Sequence, residues 1–485
     1  MSSYLGIDVG TSAVKAVVLG ASGEPIDEAS AALEVSRPRP LWSEQEPEAW
    51  WRATDAVVRA LAARGATRAV AAVGLSGQMH GATLLDAKQE PLRPAILWND
   101  GRSAAACRAL EAAVPESRRI TGNLAMPGFT APKLVWLREH EPALFARVRT
   151  VLLPKDYVRL RMTGELATDL SDASGTLWLD VAKRRWSETM LAACELPLSA
   201  MPALFEGPAE SGRLRAEVAE AWGMARVPVA AGAGDQAAGA LGTGVITPGQ
   251  ASLSLGTSGV LFAADDHFRP NPERAMHAFC HALPETWHEM SVLLSAASCL
   301  SWIVRATGAR DEAALLAEVE AAAGPSERLL FLPYLSGERT PHNDPEATGV
   351  FVGLGHDSDR AALGRAVLEG VAFAFADAQA VLVEAGVTLR EVAVIGGGAR
   401  SRLWGRILAS VLGRPLVYRA ASEVGPALGA ARLARLCVTG ESAAAVCTPP
   451  PAVWTAEPDA GLSAHYAVRL AAFRDLYRRL RREER

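Results

Sequence analysis

The sequence has few cysteines, and none of them has the spacing of a zinc site. The six cysteines are scattered along the chain without a C-x-x-C pair. This distribution favours reduced thiols in the cytosol over a disulfide framework or a zinc site. His277 and His281 have a spacing that holds a metal only on a helix. The alternating apolar residues around them predict a strand, so we expect no metal there.

The sequence also lacks an excess of one charge, a long apolar run and the phosphate-binding motif G-x-x-x-x-G-K-S/T. A net charge of −5 spread over 485 residues provides no basic surface for nucleic acid. The longest apolar run, 292–304, falls short of the ~20 residues that cross a membrane. The N-terminus has no basic segment followed by an apolar run. We therefore expect no signal peptide, no membrane partner and a cytoplasmic location.

What the sequence contains is a turn that occurs twice, near the N-terminus and near the middle. Apolar strands are predicted on both sides of Gly-Thr-Ser at 10–12 and again at 256–258. Such a turn suits phosphate, because glycine lets the backbone approach and two hydroxyls add hydrogen-bond donors. The chain is too long for one core. Two turns therefore predict an α/β protein with two similar lobes, 1–244 and 245–485, that hold one polyphosphate between them.

Two polar loops in the first half follow predicted strands, where ligand contacts gather in open α/β sheets. The first loop carries Met79 and His80 between glycines. We expect His80 to contact a substrate, with a structural histidine as the alternative. The second loop holds Asn99, Asp100 and Arg102, whose polar groups are suited to sugar hydroxyls. A tight turn with an Asp–Arg surface pair is an equal alternative for this loop.

A strand that ends in Gly-x-Gly at 232–234 delivers Asp235 to the start of a small-residue helix. With Ala237 the pattern formally matches a dinucleotide fingerprint. We reject that match, because Asp235 stands where a pyrophosphate needs a bare helix N-terminus and no acidic residue follows ~20 positions later. Helix capping is one alternative for Asp235. We favour a general base, because the glycines leave room for substrate beside a carboxylate on a rigid strand end.

Three further loops are candidate regions. Residues 336–344 form a long polar loop that either closes over the cleft or stays solvated with a Glu–Arg pair. Gly396, Gly397 and Gly398 leave a flat backbone on which an adenine or ribose can lie, whereas one or two glycines would indicate only a tight turn. The Gly/Ser/Asp-rich loop 169–178 receives no role.

Several helices are also predicted. Ser43 with Glu46 three residues later predicts a capping box and a helix that runs to about Arg64. A loop and a close-packing helix are predicted over 423–431. An amphipathic basic helix is predicted over 466–485, which we interpret as a surface helix because other charges do not reinforce it for nucleic acid.

Together these motifs resemble the FGGY family of carbohydrate kinases, and the resemblance covers nearly the whole chain. The residues that carry it are 6–12, 76–81, 96–102, 234–235, 255–259, 337–341 and 396–400. The first family signature is similarly readable in 128–140. The second is readable in 349–369, except that Ala362 replaces an expected polar residue. Gln-Met-His-Gly at 78–81 is most similar to the members that phosphorylate D-xylulose, rather than glycerol or gluconate.

The resemblance implies two actin-like (ribonuclease-H-like) lobes, with ATP and D-xylulose meeting in an active-site cleft between them. It also implies that Asp235 accepts the proton of the sugar 5-hydroxyl and that Asp8 positions Mg²⁺ through water together with ATP. Met79 and His80 would contact the sugar. An alcohol that attacks a γ-phosphoryl group needs such a carboxylate, together with donors and a metal for the phosphoryl charge. The residues expected to bind ATP are Thr11, Ser12, Lys15, Gly256, Thr257, Ser258, Gly396, Gly397, Gly398 and Ala399.

Two other functions stay open. A kinase for another ketose or polyol, such as ribulose or xylitol, would differ only in contacts that the sequence does not place. An actin-like or chaperone-type ATPase is disfavoured, because the polar loops at Met79 and Asn99 provide room for a small substrate. Closure of the lobes around the sugar is expected, since it would exclude water. A homodimer follows only from the resemblance.

Overall fold

The computed structural model describes residues 2–322, 324, 328–420 and 425–481, and it confirms the predicted α/β class. The strands of the first half are β1 (Ser3–Val9), β2 (Ala13–Gly20), β3 (Pro25–Ala32), β4 (Glu44–Gln45), β5 (Val70–Gly77), β6 (Thr83–Leu85), β7 (Ala95–Ile96), β8 (Thr150–Leu152), β9 (Ala167–Asp169), β10 (Leu179–Asp180), β11 (Arg185–Trp186), β12 (Ala203–Phe205), β13 (Glu210–Arg213), β14 (Pro228–Ala230) and β15 (Ala233–Gly234). Its helices are α1 (Pro47–Ala63), α2 (Ala104–Ala113), α3 (Ser117–Thr121), α4 (Thr130–His140), α5 (Pro142–Phe145), α6 (Pro154–Thr163), α7 (Leu170–Ser174), α8 (Glu188–Ala193), α9 (Ala216–Ala221) and α10 (Asp235–Thr243).

The second half has fewer and longer elements. Its strands are β16 (Gly249–Leu255), β17 (Gly259–Asp265), β18 (His277–Cys280), β19 (Trp287–Leu293), β20 (Leu330–Leu332), β21 (Val350–Val352), β22 (Leu389–Ile395), β23 (Leu416–Arg419) and β24 (Ala452–Ala456). Its helices are α11 (Ala297–Thr307), α12 (Glu312–Ala321), α13 (Arg360–Glu384), α14 (Arg402–Leu412), α15 (Gly425–Thr439), α16 (Ala443–Val446) and α17 (Ala460–Leu480). Short 3-10 helices cover Leu198–Ala200, Pro272–Arg274 and Gly397–Arg400.

Each half is built on one seven-stranded mixed sheet, and the two sheets share one topology. The first runs β3-β2-β1-β5-β14-β13 and the second runs β19-β17-β16-β22-β23-β24. In both, two antiparallel pairs are followed by two parallel pairs and a final antiparallel pair. β15 joins β5, and β18 joins β19. The repeated Gly-Thr-Ser turn therefore marks a repeat of the whole sheet, while the boundary at 244/245 stays a prediction.

Helix α13 forms the centre of the core in the second half. By length and composition it could cross a membrane, but 83% of its most apolar window is buried inside the protein, as in a core helix. Two acids, Glu369 and Asp377, interrupt its apolar sequence. They pair with Arg469 at 2.8 Å and Arg474 at 2.6 Å on α17. The predicted C-terminal helix therefore docks on α13 through charge pairs as well as apolar contacts.

Helix α15 of the second half packs against β1, β5 and α10 of the first half. The backbones approach so closely that a Cβ on Gly429 would lie 1.8 Å from the Ala238 carbonyl oxygen. A Cβ on Gly6 would likewise lie 2.0 Å from the Ala427 carbonyl oxygen. Only glycine fits such contacts. The two halves are therefore joined along α10 and α15, and α10 begins at Asp235.

Some local predictions change. The capping box is wrong, because α1 begins at Pro47 after Glu46 without a side-chain cap. Ser43 instead lies buried and donates its backbone N–H to Asp100 at 2.6 Å, so a tertiary contact replaces the local cap. The strand predicted around His277 and His281 is confirmed as β18. Parts of two other predictions, 423–424 and 482–485, lie outside the described residues.

Candidate active site

Three parallel strands end at one edge of the first sheet. In the register of the sheet, Asp8 on β1 lies beside Ser76 on β5, and Ser76 lies beside Ala233 on β15. Asp235 follows as the first residue of α10. The helix-capping alternative does not describe this geometry, because the N-cap position is occupied by Gly234, which has no side chain. The two acids that the sequence singles out are thus placed at neighbouring strand ends.

Asp235 has no cation among the causes that shift its pKa, whereas Asp8 has Lys15. Burial, and after it the negative charge of Asp8, raise the pKa of Asp235 to about 7, with the backbone and side chain of Gln236 acting in the opposite direction. Burial raises the pKa of Asp8 to about 6, while the Ser76 hydroxyl and the charge of Lys15 lower it. A carboxylate with a pKa close to the working pH is suited to accept a proton and release it again.

Asp8 has an oxygen that no protein group satisfies. Its Oδ1 is buried and lacks a hydrogen-bond partner among the described residues. Lys15, which lies opposite Asp8 in the sheet, is held by Glu28 at 3.2 Å. A buried acceptor without a donor is costly unless a ligand meets it. Carboxylate and water oxygens are the ligands that Mg²⁺ prefers, so this donor set fits the metal.

The first Gly-Thr-Ser turn is braced by side chains. The Thr11 hydroxyl donates to Gln78 Oε1 at 3.0 Å and accepts from Trp98 Nε1 at 3.0 Å. Gln78 in turn donates to Gln45 Oε1 at 2.8 Å. Ser12 is exposed. The turn therefore presents the Ser12 hydroxyl to solvent, while the Thr11 hydroxyl fixes the shape of the loop.

The second turn is more open. Thr257 and Ser258 are exposed, and the Thr257 carbonyl accepts from Ser298 Oγ at 2.8 Å. The glycine segment after β22 lies directly beside this turn, since a Cβ on Gly396 would come within 2.8 Å of the Leu255 carbonyl oxygen. A Cβ on Gly397 would meet no described residue within 4 Å. Gly398 and Ala399 continue the segment as a 3-10 turn. The structure thus brings the expected adenosine segment next to the second expected phosphate turn.

Met79 and His80 lie on the loop that follows β5. The Met79 side chain packs on Gly234, where an added Cβ would lie 2.9 Å from its Sδ. His80 Nδ1 lies 2.6 Å from the Gly175 carbonyl oxygen. Since a carbonyl only accepts, Nδ1 carries the proton and Nε2 is left as an acceptor. Burial, and then the charge of Lys133, lower the pKa of His80 to about 3, so the ring is neutral.

The residues of the second expected substrate loop have different environments. Asn99 is exposed. Asp100 and Arg102 pair with each other at 2.6 Å, and Arg102 also pairs with Glu44 at 2.8 Å. Their side chains are 0% and 1% exposed. This corresponds to the alternative of an Asp–Arg pair in a turn, except that the pair is buried. Both charges hold the turn, and a sugar contact of Asp100 and Arg102 stays a prediction.

The loop 336–344 is docked rather than solvated. Glu338 is 2% exposed and accepts the backbone N–H of Leu294 at 2.9 Å instead of pairing with a guanidinium. Arg339 donates to His277 Nε2 at 3.4 Å, its only side-chain hydrogen bond among the described residues. Its charge also lowers the pKa of His80. Sequence reasoning left Arg339 without a role. The available signal was its place in the polar loop 336–344.

Comparisons with known proteins identify the family of the chain. The N-terminal domain of the FGGY family of carbohydrate kinases matches residues 3–242, and its C-terminal domain matches 251–436. The chain is 56% identical over 478 residues to the xylulose kinase of Escherichia coli (strain K12), covering 98% of this chain and 99% of that protein. It is 54% identical over 479 residues to the xylulose kinase of Klebsiella pneumoniae, covering 99% of both.

Solved structures give the same result. The crystal structure of a xyloylose kinase from Brucella ovis matches with a TM-score of 0.96 and 49% identity, covering 99% of both chains. That of a xylulose kinase from Rhodospirillum rubrum matches with a TM-score of 0.92 and 30% identity, again covering 99% of both. The predictions of two actin-like lobes and of a carbohydrate kinase are confirmed. The chain belongs to the FGGY family of carbohydrate kinases.

Proposed function

We propose that this protein transfers the γ-phosphoryl group of ATP to the 5-hydroxyl of D-xylulose. The observation that carries the proposal is the position of Asp235, a carboxylate with a pKa of about 7 beside the Met79–His80 loop and the Asp8 strand end. The choice of sugar is supported by relatives that are xylulose kinases at 54% and 56% identity. The choice of nucleotide is supported by the two phosphate-binding turns.

In this mechanism Asp235 is the general base. The sugar oxygen attacks phosphorus, an oxygen–phosphorus bond forms, and the bond from phosphorus to the ADP oxygen breaks. The hydroxyl proton passes to the Asp235 carboxylate as the attack proceeds. A base held on a strand end, at the first position of α10, has a fixed direction toward the sugar.

The residues around the phosphates have separate roles. Asp8 would hold Mg²⁺ through water, and the ion, when bound, neutralises charge on the phosphoryl oxygens. The exposed hydroxyls of the second turn and of Ser12 donate to phosphate oxygens, while Thr11 keeps the first turn in shape. Lys15 adds positive charge beside Asp8. The segment 396–399 carries the adenosine.

The sugar is held mainly by the first half. His80 accepts a sugar hydroxyl at Nε2, and Met79 covers an apolar face of the chain of carbons. Asn99, which is exposed, offers an amide. Arg339 adds the contribution of the second half, because its guanidinium has N–H groups that no described residue accepts and its charge reaches His80. A homodimer and a cytoplasmic location remain predictions.

The test is a coupled ADP-release assay with D-xylulose, D-ribulose, xylitol and ATP alone. We expect release to depend on D-xylulose. Equal turnover with ATP alone would instead indicate an ATPase, and preference for ribulose or xylitol would indicate another kinase of the family. Asp235→Ala should abolish transfer while ATP still binds. Retention of more than a few per cent of the wild-type rate would remove Asp235 from its role.

Two variants test the sugar contacts in the same assay. His80→Ala should mainly raise the KM for D-xylulose and leave the KM for ATP unchanged. Unchanged KM and selectivity would return His80 to a structural role. Arg339→Gln should also raise the KM for the sugar, whereas Arg37→Gln, an exposed arginine far along the chain from the site loops, serves as the matched control.

A further inference from the structure

Helix α7 lies at the start of the loop 169–178, to which the sequence assigned no role. Asp169 caps this helix and accepts from the backbone N–H of Ser171 at 2.8 Å and of Asp172 at 3.1 Å. The Ser171 hydroxyl also donates to the same Asp169 oxygen at 2.5 Å. The loop is therefore an ordered helical turn with a fully used cap, and every residue of α7 is buried.

The N-terminal end of α7 is bonded to the strand end that carries the base. The backbone N–H of Gly234, the residue before Asp235, donates to Ser171 Oγ at 3.1 Å. Because the single Ser171 proton goes to Asp169, the serine oxygen is free to accept from Gly234. The bonds thus run in one direction, from the Gly234 amide through the Ser171 hydroxyl to the Asp169 carboxylate.

A buried charge cluster anchors this chain of bonds. Lys155 Nζ lies 2.6 Å from Asp156, 2.8 Å from Asp169 and 3.1 Å from Asp172, and all four side chains are 0% exposed. Arg159 joins the cluster at 3.7 Å from Asp156. Burial acts to lower the pKa of Lys155, but the three aspartates outweigh it and raise that pKa. The ammonium is therefore charged and holds the Asp169 carboxylate in place through their ion pair.

Arg159 links the cluster to the chain that precedes the base. Its guanidinium donates to the Ala230 carbonyl at 3.0 Å and also to the Ala231 carbonyl. Three carboxylates face two cations, and burial raises the pKa of Asp172 well above its usual value despite the opposing charge of Lys155. A proton on Asp172 makes the cluster neutral, so it can stay buried without net charge.

The C-terminal end of α7 is bonded to the sugar loop. The carbonyl of Gly175, directly after α7, accepts from His80 Nδ1 at 2.6 Å. A Cβ on Gly175 would lie 2.5 Å from the His80 ring, so the two groups are in direct contact. A helix of this length spans only ~7–8 Å. One short rigid element therefore sets both the position of the Asp235 strand end and that of the His80 ring.

We propose that Ser171 is a positioning residue, which holds Asp235 at the attacking hydroxyl through Gly234, and that α7 with its Lys155 anchor keeps the base and His80 in fixed relation. This inference rests on the proposed function. Ser171 contacts neither substrate nor nucleotide in this account. Its removal should therefore slow the chemical step and leave sugar binding, which depends on the Gly175 end of α7, nearly unchanged.

The test compares Ser171→Ala with Ser174→Ala, a matched control on the same helix. Ser174 is also buried and also accepts a backbone N–H, that of Cys280 at 3.0 Å, but its hydrogen bonds among the described residues include none to the base or to the sugar loop. Kinetics with D-xylulose and the melting temperature are measured for both. We expect Ser171→Ala to lower kcat about tenfold with both KM values within about twofold. Ser174→Ala should lower the melting temperature by about the same amount as Ser171→Ala does, but its kcat should stay within about twofold of wild type.

The outcomes separate the two proposals. An inactive wild-type protein would overturn the proposed function itself. An active wild type with an unchanged kcat in folded Ser171→Ala, or equal losses of kcat in both variants, would overturn only the positioning role. If Ser171→Ala does not fold, Ser171→Cys keeps the volume but accepts hydrogen bonds weakly, and a kcat equal to wild type in that variant would equally refute the inference.

Discussion

Replacing Asp235 by asparagine should stabilise the protein while abolishing phosphoryl transfer. Burial and the charge of Asp8 raise the pKa of Asp235 from 3.8 to about 7. The folded protein therefore holds a proton that the unfolded chain has already lost. Stability must fall as the pH rises from about 4 through about 7, because over that range folding requires uptake of a proton. An asparagine at this position would keep the shape of the side chain and remove this dependence.

The size of the effect follows from the shift. Each pKa unit corresponds to ~1.4 kcal/mol, so the ionised carboxylate costs at most about 4 kcal/mol above pH 7. At pH 5 the folded form is still protonated, and the cost is only that of taking up the proton on folding, about 1.5 kcal/mol. Asp235 is partly exposed, and solvent screening reduces the difference. We therefore expect Asp235→Asn to gain about 1–2 kcal/mol more at pH 8 than at pH 5, or about 2–6 °C for a lobe of this size.

The assay is thermal unfolding of both proteins at pH 5 and pH 8, combined with ADP release from D-xylulose. Asp311→Asn is the control, because Asp311 caps α12 through the Ala314 amide at 2.7 Å and its pKa is lowered by that hydrogen bond. Its contribution changes only below pH 4, so its variant should show no growing advantage between pH 5 and pH 8. An advantage of Asp235→Asn that is independent of pH, or larger at pH 5, would refute the reasoning.

Three other perturbations have expected results. Gly429→Ala should lower the melting temperature, because its Cβ would lie 1.8 Å from the Ala238 carbonyl oxygen. Gly239→Ala is the control in the same helix pair and should be neutral or stabilising, because the nearest atom would lie 3.9 Å from its Cβ. Equal decreases in melting temperature would contradict this packing. Lys155→Met should cost about 3–5 kcal/mol or prevent folding, because it removes the cation that lies nearest to three buried carboxylates. Circular dichroism measures the loss, and a wild-type melting temperature would contradict this prediction. The pH profile of the KM for D-xylulose should contain no inflection that His80→Gln removes, because the pKa of His80 is about 3, and loss of an inflection near pH 6.5 in that variant would argue against a neutral ring.

The parts of the site that sequence reasoning located are those with a local signature. Asp8 and Asp235 follow short apolar strands and are flanked by glycines, so period and turn chemistry alone place them at strand ends. The repeated turn at 10–12 and 256–258 indicated a repeat, and the two sheets have the same succession of strands. Whether these residues act as assigned remains a prediction.

The contacts of the site that the sequence did not predict join residues that are far apart in the chain. Ser43 bonds to Asp100, 57 positions away, and Gly234 bonds to Ser171, 63 positions away. His80 meets the Gly175 carbonyl 95 positions away. Nothing in a local pattern separates a serine that caps a helix from one that accepts a distant amide, because both need the same short polar side chain. For the same reason Asp100 and Arg102 looked equally suited to binding a sugar and to binding each other.

The charged groups of the first half are arranged in two opposite ways, and the contrast supports the proposed site. Around Lys155, three carboxylates lie within 3.1 Å of a cation, and their charge is balanced within the protein. At the strand ends, Asp235 has no cation among the causes that shift its pKa, and its neighbour is a second acid that raises the pKa further. Such a pair only destabilises the folded chain unless a proton or a cation arrives there during function. In the first half, charge is therefore balanced in the Lys155 cluster and unbalanced at the strand ends where we propose the active site. Helix α7 joins the two regions through one serine.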